Sequence, residues 1–319
     1  MKKSIAFVVF DGFQLVDMAA VSVFELANDC PGGPFYDVML LSEHGGPVRS
    51  SSGVKVDSIA FDAHAYNVHA YDTVMVTGSM SPVVSSPRFL DFLRQSSAAS
   101  RRTASICTGA FLLAEAELLN GRRVTTHWAQ ARELQHLYPK TRVEEDRIFI
   151  NDGDIWTSAG MTACIDLSLA LVEQDLGTAN ARLIARMMVV YHRRSGGQSQ
   201  FSALLEMEAK SDRIQSALSY AKRNLAKELS VDELADAAHL SRRQFSRAFR
   251  NETGKSPAKA VEALRVEAAR AMLEDSSHSI DVVARETGFS DPERMRRAFL
   301  RTVGQPPQAV KRASRAAKA

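Results

Sequence analysis

The chain has 319 residues, 45% hydrophobic and 24% charged, so two domains are the natural expectation and a sizeable core can form in each. Its net charge of +3 is unevenly shared: residues 211–319 hold 21 Lys/Arg against 14 Asp/Glu, a balance of +7, and residues 1–210 stand at −4. Three cysteines, Cys30, Cys107 and Cys164, are odd in number and lack metal-type spacing, which argues against a disulfide framework or a cysteine metal cluster and fits a reducing cytoplasm, the expected location.

In chain order, residues 1–10 join a charged start to an apolar run that is too short for a membrane span. Asp11-Gly12 interrupts it before any small-residue cleavage site, so it reads as a buried strand and not a leader, and no membrane partner is expected. Residues 5–10, 38–41, 73–77 and 103–106 read as strands of nearly continuous apolar character, the pattern of strands covered on both faces. Helices are expected between them at 15–27, 89–98, 110–119 and 128–137. Residues 147–150 and 155–158 flank Asn151-Asp152-Gly153 and read as a hairpin with an Asp-Gly turn. Two further helices are expected at 163–176 and 180–191. The alternation predicts an α/β N-terminal sandwich with a mainly parallel sheet, over residues 1–192.

Residues 193–200, rich in Gly, Ser and Gln, open an expected linker that runs to about residue 210. Beyond it the sequence reads as an all-α C-terminal domain, residues 211–319, that says one thing twice. The run from Ser230 to Ser241 is followed by Arg247-Ala248-Phe249 and Gly254; the run from Ser279 to Ser290 is followed by Arg297-Ala298-Phe299 and Gly304. The first parts are offset by 49 residues and the second by 50, so one residue is inserted near Asp291.

In the first copy, Val231, Leu234, Ala235 and Ala238 share one helical face. Ser230 with Glu233, and Ser241 with Gln244, have the spacing of capping boxes. Phe245, Ala248 and Phe249 form the buried stripe of the next helix, leaving Arg242, Arg243, Ser246, Arg247 and Arg250 outward. In the second copy Ile280, Val283 and Ala284 repeat the first stripe. Gly288 falls in the turn, where a left-handed residue is often needed and where the first copy has His239. Asp291-Pro292 opens the last reading helix. There Met295, Ala298 and Phe299 face inward, and Glu293, Arg294, Arg296 and Arg297 face outward. Between the copies, residues 258–273 carry a helical stripe through Val261, Leu264, Ala268 and Met272. A rod of about 16 residues is roughly 24 Å long, able to hold two reading helices about one DNA turn, roughly 34 Å, apart. The pattern predicts two helix-turn-helix units reading different half-sites of a duplex, arginine suiting phosphate and guanine edges.

Residues 212–313 resemble the AraC/XylS family of transcription regulators. The matching positions are Ala235, Ser241, Phe249, Gly254 and Pro257, then Ala284, Gly288-Phe289-Ser290, Phe299, Gly304 and Pro307. The resemblance implies that the outward residues of the two reading helices enter successive major grooves: Arg242, Arg243, Ser246 and Arg247, then Glu293, Arg294, Arg296 and Arg297. Glu293 suits a cytosine amine but repels phosphate.

In the first region Cys107 stands between a buried strand and a helix, in Ser105-Ile106-Cys107-Thr108-Gly109. A sharp turn there exposes it at the carboxyl edge of the sheet, where open α/β sheets bind ligands. The following helix N-terminus is expected to lower the thiol's pKa and favour anions. Asp17, Gly78, Ser79, Thr108 and His127 complete the expected ligand pocket. Asp17 has two readings, a hydrogen bond to the thiol or a ligand ammonium, or a partner for the helix dipole. His127 is the nearest base to Cys107, the alternative being a structural place beside Trp128. Cys30 and Cys164 read as packing residues.

Residues 4–192 resemble the PfpI/ThiJ superfamily, also called class I glutamine amidotransferase-like. The resemblance rests on residues 10–17, the Cys107-Thr108-Gly109 elbow, residues 120–128 and residues 157–160. Enzymes of that superfamily use the elbow cysteine as nucleophile. Its proteases follow it with His where this chain has Thr108, and most members have Glu where this chain has Asp17. Isonitrile hydratase-like members also carry Asp and Cys-Thr-Gly. The resemblances together imply a transcription regulator, an activator by the habit of such fusions, that is not an enzyme. Its partners would be double-stranded promoter DNA, a small-molecule effector, a second copy as homodimer, and RNA polymerase if it activates. No catalytic residue, metal or cofactor is assigned. The alternative is a cysteine-dependent hydrolase or hydratase carrying a DNA-binding appendage.

Overall fold

The structure, a computed structural model, describes residues 2–61, 71–80, 85–190, 194, 196–197, 200, 207, 209, 211–275 and 278–316. The chain divides into two compact units, Met1–Gly196 and Gly197–Ala319.

The first unit runs β1 (Lys3–Val8), a 3-10 turn (Leu15–Met18), α1 (Ala19–Asn28), β2 (Tyr36–Ser42), β3 (Gly46–Arg49), β4 (Lys55–Ala60), β5 (Thr73–Val76), α2 (Pro87–Ala99) and β6 (Arg102–Ile106). It continues through α3 (Gly109–Glu115), β7 (Arg123–Val124), α4 (Trp128–Leu137), β8 (Arg142–Val143), β9 (Phe149–Asp152), β10 (Ile155–Ser158) and α5 (Ala163–Met187). Eight strands form one sheet in the order β3-β4-β2-β1-β5-β6-β10-β9. The six central strands are parallel, and only the edges β3 and β9 are antiparallel.

The near-continuous apolar strands are explained by cover on both faces. In β1, Ile5 and Phe7 pack with α1 and α5, around Phe24, Leu167 and Leu171. Ala6 and Val8 point to the other face, against Phe92, Leu113 and Leu134 of α2, α3 and α4. All four strand residues are fully buried. The carboxyl ends of β1, β5 and β6 therefore lie side by side, in parallel, where the Gln14–Asp17, Gly78–Ser79 and Cys107 segments emerge.

Several local expectations shift. The helix expected at 15–27 begins as the 3-10 turn and becomes α-helical only at Ala19. The hairpin pairs Asp152 with Ile155, so its two-residue loop is Gly153-Asp154 and not Asp152-Gly153; Gly153 takes the left-handed φ of 72° at the first loop position. The two helices expected at 163–176 and 180–191 are one run, α5, broken at Gly177 with φ 83°. The edge hairpin β3–β4 was not anticipated, because its exposed, Gly- and Ser-bounded residues carry little hydrophobic pattern. Nor was the small β7–β8 pair. Of the linker expected at 193–210, Arg194 is tied to the first unit: its guanidinium meets Asp166 at 2.8 Å and its N–H donates to the same carboxylate at 2.7 Å. Most of the remaining linker residues lie outside the described ones.

The second unit is helical throughout its described residues: α6 (Asp212–Arg223), α7 (Val231–Ala237), α8 (Arg242–Thr253), α9 (Pro257–Asp275), α10 (Ile280–Glu286), α11 (Pro292–Thr302) and α12 (Pro307–Ala316). It holds two cores. Leu218, Leu234, Phe245 and Phe249 make the first, with Ala260, Val261 and Leu264 from the start of α9. Val283, Met295, Phe299 and Val310 make the second, with Val266, Ala269 and Leu273 from its end. The stripe of α9 thus turns midway: Ala269 and Leu273 are buried where Ala268 and Met272 were expected. One helix of 19 residues, about 28 Å at 1.5 Å per residue, belongs to both cores and fixes the spacing between them. No helix among the described residues is long and apolar enough to cross a membrane.

Candidate functional sites

Cys107 follows β6 directly and takes the left-handed region, with φ 54°. A non-glycine residue there is strained by about 1–3 kcal/mol and persists only when its surroundings enforce it. Here they do. Its N–H donates to Ser158 O at 3.1 Å, and Thr126 Oγ1 donates to its carbonyl at 2.8 Å. Two glycines leave room for its side chain: a Cβ on Gly160 would stand 2.0 Å from the Cys107 Cβ, and one on Gly78 would stand 2.7 Å from it. Thr108 closes the other side, its Oγ1 accepting from Ser79 N–H at 2.7 Å and donating to Ser79 O at 2.8 Å.

Asp17 is completely buried. Its Oδ2 accepts from Gly78 N–H at 2.7 Å, while Oδ1 has no partner among the described residues. Burial, only partly offset by the Gly78 bond, lifts its pKa to about 7. The thiol of Cys107 is 5% exposed and is pushed up to about 12 by burial first and by the Asp17 charge second. This corrects the expectation that the helix N-terminus lowers it. The pull of the Thr108 hydrogen bonds is outweighed by desolvation. Cys107 is a neutral thiol at physiological pH.

The structure brings Asp17, Gly78, Ser79, Cys107 and Thr108 together; His127 stands apart in role. Its Nδ1 accepts from Ala129 N–H at 3.4 Å, capping α4, and its ring lies 5.6 Å from that of Trp128. No hydrogen bond joins it to Cys107 among the described residues. The α4 cap and the Trp128 ring are its partners, and burial keeps its ring below the usual imidazole range. Cys30 and Cys164 are packed in the core. Sequence reasoning missed Gln14, 8% exposed, whose Nε2 is buried without a partner among the described residues and whose backbone N–H donates to Gly78 O at 2.8 Å. Its place inside the 10–17 motif was the available signal. It also missed the excluding role of Gly160, which only the left-handed Cys107 explains.

In the second unit, α7–α8 and α10–α11 are two helix-turn-helix pairs. Ser230 with Glu233 and Ser241 with Gln244 form reciprocal capping boxes. Ser279 caps α10, and Asp291 caps α11 with Pro292 in its first turn. The cap of the reading helix therefore passes from Ser241 to Asp291, and the inserted residue is Ser290. The turn residues His239 and Gly288 are both left-handed, with φ 53° and 80°.

Outward, α8 exposes Arg242, Arg243, Arg247 and Arg250, with Ser246 half-buried. Arg242 meets Asp232 at 3.3 Å, and no ion pair among the described residues holds the other three. On α11, Arg294, Arg297 and Glu293 are exposed and Arg296 is half-buried. Glu293 takes Arg296 at 2.7 Å and approaches Arg297 at 3.9 Å, while Arg294 donates to Ser290 Oγ at 2.9 Å. Adjacent Arg296 holds the Glu293 carboxyl below its usual range. Guanidinium rows on capped, unstrained helices are chemically suited to phosphates and base edges.

A family model described as the DJ-1/PfpI family matches residues 3–174, and one described as a helix-turn-helix domain matches residues 234–313. The HTH-type transcriptional regulator GbdR of Pseudomonas aeruginosa is 30% identical over 309 residues, spanning 96% of this chain and 83% of that protein. Isonitrile hydratase of Pseudomonas putida is 34% identical over 141 residues, 43% of this chain and 59% of the enzyme. Among solved structures, an AraC family transcriptional regulator from Pseudomonas putida superposes with a TM-score of 0.53 at 22% identity, covering 58% of this chain and 99% of that one; it shares the fold.

Proposed function

The chain belongs to the DJ-1/PfpI family, with an AraC-type helix-turn-helix module joined to it, and we propose that it is a DNA-binding transcription regulator governed by a small-molecule effector held in its first unit. One observation carries the reading: two capped helix pairs sit in one compact unit on a shared helix, α9, and both present arginines outward. In this reading residues 1–192 sense, 193–210 link and 211–319 read promoter DNA, through Arg242, Arg243, Ser246, Arg247 and Arg250, then Glu293, Arg294, Arg296 and Arg297. The effector lies over Asp17, Gly78, Ser79, Cys107 and Thr108, with Gln14 added. The protein works in the cytoplasm as a homodimer, which raises affinity for paired half-sites, and as an activator it engages RNA polymerase.

No turnover is assigned to the elbow. A neutral, desolvated thiol whose neighbouring carboxyl, Asp17, disfavours the thiolate is a poor nucleophile, whereas the orphaned polar atoms on Asp17 and Gln14 suit a ligand that supplies the missing partners. The strained Cys107 favours a second reading as a cysteine hydrolase or hydratase. Two assays separate them. Selection from a random duplex library by the full chain should enrich one motif, and the enrichment should disappear with Arg243→Ala/Arg247→Ala. Incubation with isonitriles, amides and peptides should give no product that depends on Cys107. A pool that stays random, together with Cys107-dependent turnover, would replace the regulator by the enzyme.

A further inference from the structure

A cleft of about 760 Å³ lies within the second unit, walled by the second helix-turn-helix pair, by α9 and by the segment that leads into the first pair. Its walls carry six cations, Lys227, Arg265, Arg285, Arg294, Arg297 and Arg301, against two carboxylates, Glu228 and Glu262. The cations come from four places: the segment before α7, the middle of α9, the end of α10, and α11. Arg285, Arg297 and Arg301 reach solvent, at 74%, 59% and 51% side-chain exposure. Each touches one carboxylate: Arg285 meets Glu286 at 3.3 Å, Arg301 meets Glu262 at 2.7 Å, and Arg297 approaches Glu293 at 3.9 Å. Glu262 is shared with Lys259 at 3.0 Å.

The floor of the cleft is built, not incidental. Arg265 is half-buried and donates from Nε to Leu225 O at 3.1 Å and from Nη2 to Lys227 O at 2.7 Å. It thereby ties α9 to the segment that leads into the first reading pair. Burial first, and the Arg294 guanidinium second, weaken its hold on its own proton, so the positive field there is only partly cancelled by Glu228. Gly288 closes the floor from the second pair. A Cβ there would stand 1.9 Å from Leu225 O and 2.8 Å from Arg265 Nε. The second pair can approach the first this closely only because its turn residue is glycine.

A duplex read in two successive major grooves must pass its sugar–phosphate strands between the two reading helices. The cleft lies on that path, because Arg294 and Arg297 belong both to its wall and to α11. We infer that the cleft seats the phosphates of the strand crossing between the two grooves, with Lys227, Arg285 and Arg301 as sequence-independent contacts and Arg265 with Gly288 as the strut that holds the seat open. This rests on the DNA-reading role proposed above and adds Lys227, Arg265, Arg285 and Arg301 to it, which neither the repeat nor the resemblance marks.

The test uses the full chain, with two duplexes: the motif enriched by selection and a random sequence of equal length. Binding is measured against KCl concentration. Each phosphate contact contributes about 0.9 to the slope of log affinity against log salt. Arg285→Gln/Arg301→Gln should lower that slope by about two and weaken both duplexes by the same factor, with the enriched motif unchanged. Glu262→Gln, which frees Arg301, should act oppositely, tightening both duplexes a few-fold at low salt. A slope within 0.5 of wild type in the double variant, with its thermal melt unchanged, overturns the inference. So does a changed motif, which would make these arginines base readers, or micromolar binding of tripolyphosphate that the double variant abolishes without altering the slope, which would make the cleft a small-anion site. A chain that enriches no motif at all fails earlier, at the DNA-reading role itself.

Discussion

The two functional regions are built on opposite physical terms. At the elbow the acid and the thiol are buried: Asp17 is completely so, Cys107 is 5% exposed, and the cysteine backbone is strained into the left-handed region. On the reading helices the arginines other than the half-buried Arg296 are exposed, the backbone is ordinary, and the helix starts are capped. A ligand held in the buried region, as proposed, would be selected by shape and by unsatisfied hydrogen bonds, and electrostatics there are screened much less. The exposed region attracts at long range and is screened by salt. Proton concentration should therefore move the first region, and salt the second.

The largest effect expected is at Asp17. Its carboxyl is raised from 3.8 to about 7 by burial, so the folded state binds a proton that the unfolded chain has released. The stability this lends is fully present below about pH 3.8 and is lost as pH rises through about 7, up to about 4 kcal/mol at 1.36 per pH unit. Both tryptophans, Trp128 and Trp156, lie in the first unit, so urea unfolding followed by tryptophan fluorescence reads that unit selectively. Asp17→Asn should flatten the pH dependence and stabilise the unit at pH 8. A wild-type midpoint that does not change between pH 5 and 8 would break the comparison at its buried end.

The elbow's packing comes next. Gly160→Ala places a methyl 2.0 Å from the Cys107 Cβ and should cost about 3 kcal/mol in the same unfolding assay, leaving binding to random duplex intact. At the other end, Arg247→Ala and Arg297→Ala should each weaken the selected duplex by about 1–3 kcal/mol without moving the melt. Arg247 should show the larger loss, since Glu293 already approaches Arg297. Smallest is the cap: Ser241→Ala removes the bond to Gln244 N–H and should cost about 1 kcal/mol of stability in the second unit, by far-UV circular dichroism. An arginine substitution that shifts the fluorescence midpoint, or a Gly160 variant whose only defect is DNA affinity, would blur the two regions into one.

The same contrast decides what could be read from sequence. The reading pairs were legible down to single caps, because an exposed helix surface leaves a periodic record: Ser230 with Glu233, Phe245 with Phe249, Asp291 before Pro292. The parallel sheet was legible because strands covered twice, like β1, are apolar throughout. The edge hairpin β3–β4 was not, since an exposed edge has no apolar rhythm to display. At the elbow the sequence marks residues that the structure brings together, but not their protonation state. A helix N-terminus suggested an acidic thiol, and only the burial around Cys107, with Asp17 beneath it, shows that desolvation wins. The turn of the stripe in α9, from Leu264 to Val266 and Ala269, was equally hidden, because it follows from two cores sharing one helix.

The central claim is that two helix pairs, spaced by α9, read one face of a duplex. Hydroxyl-radical footprinting of the full chain on its selected site tests this most directly. The account predicts protection in two patches on the same face, about 10 base pairs apart, with Arg247→Ala thinning one patch and Arg297→Ala the other. A single patch that both substitutions thin alike would contradict it.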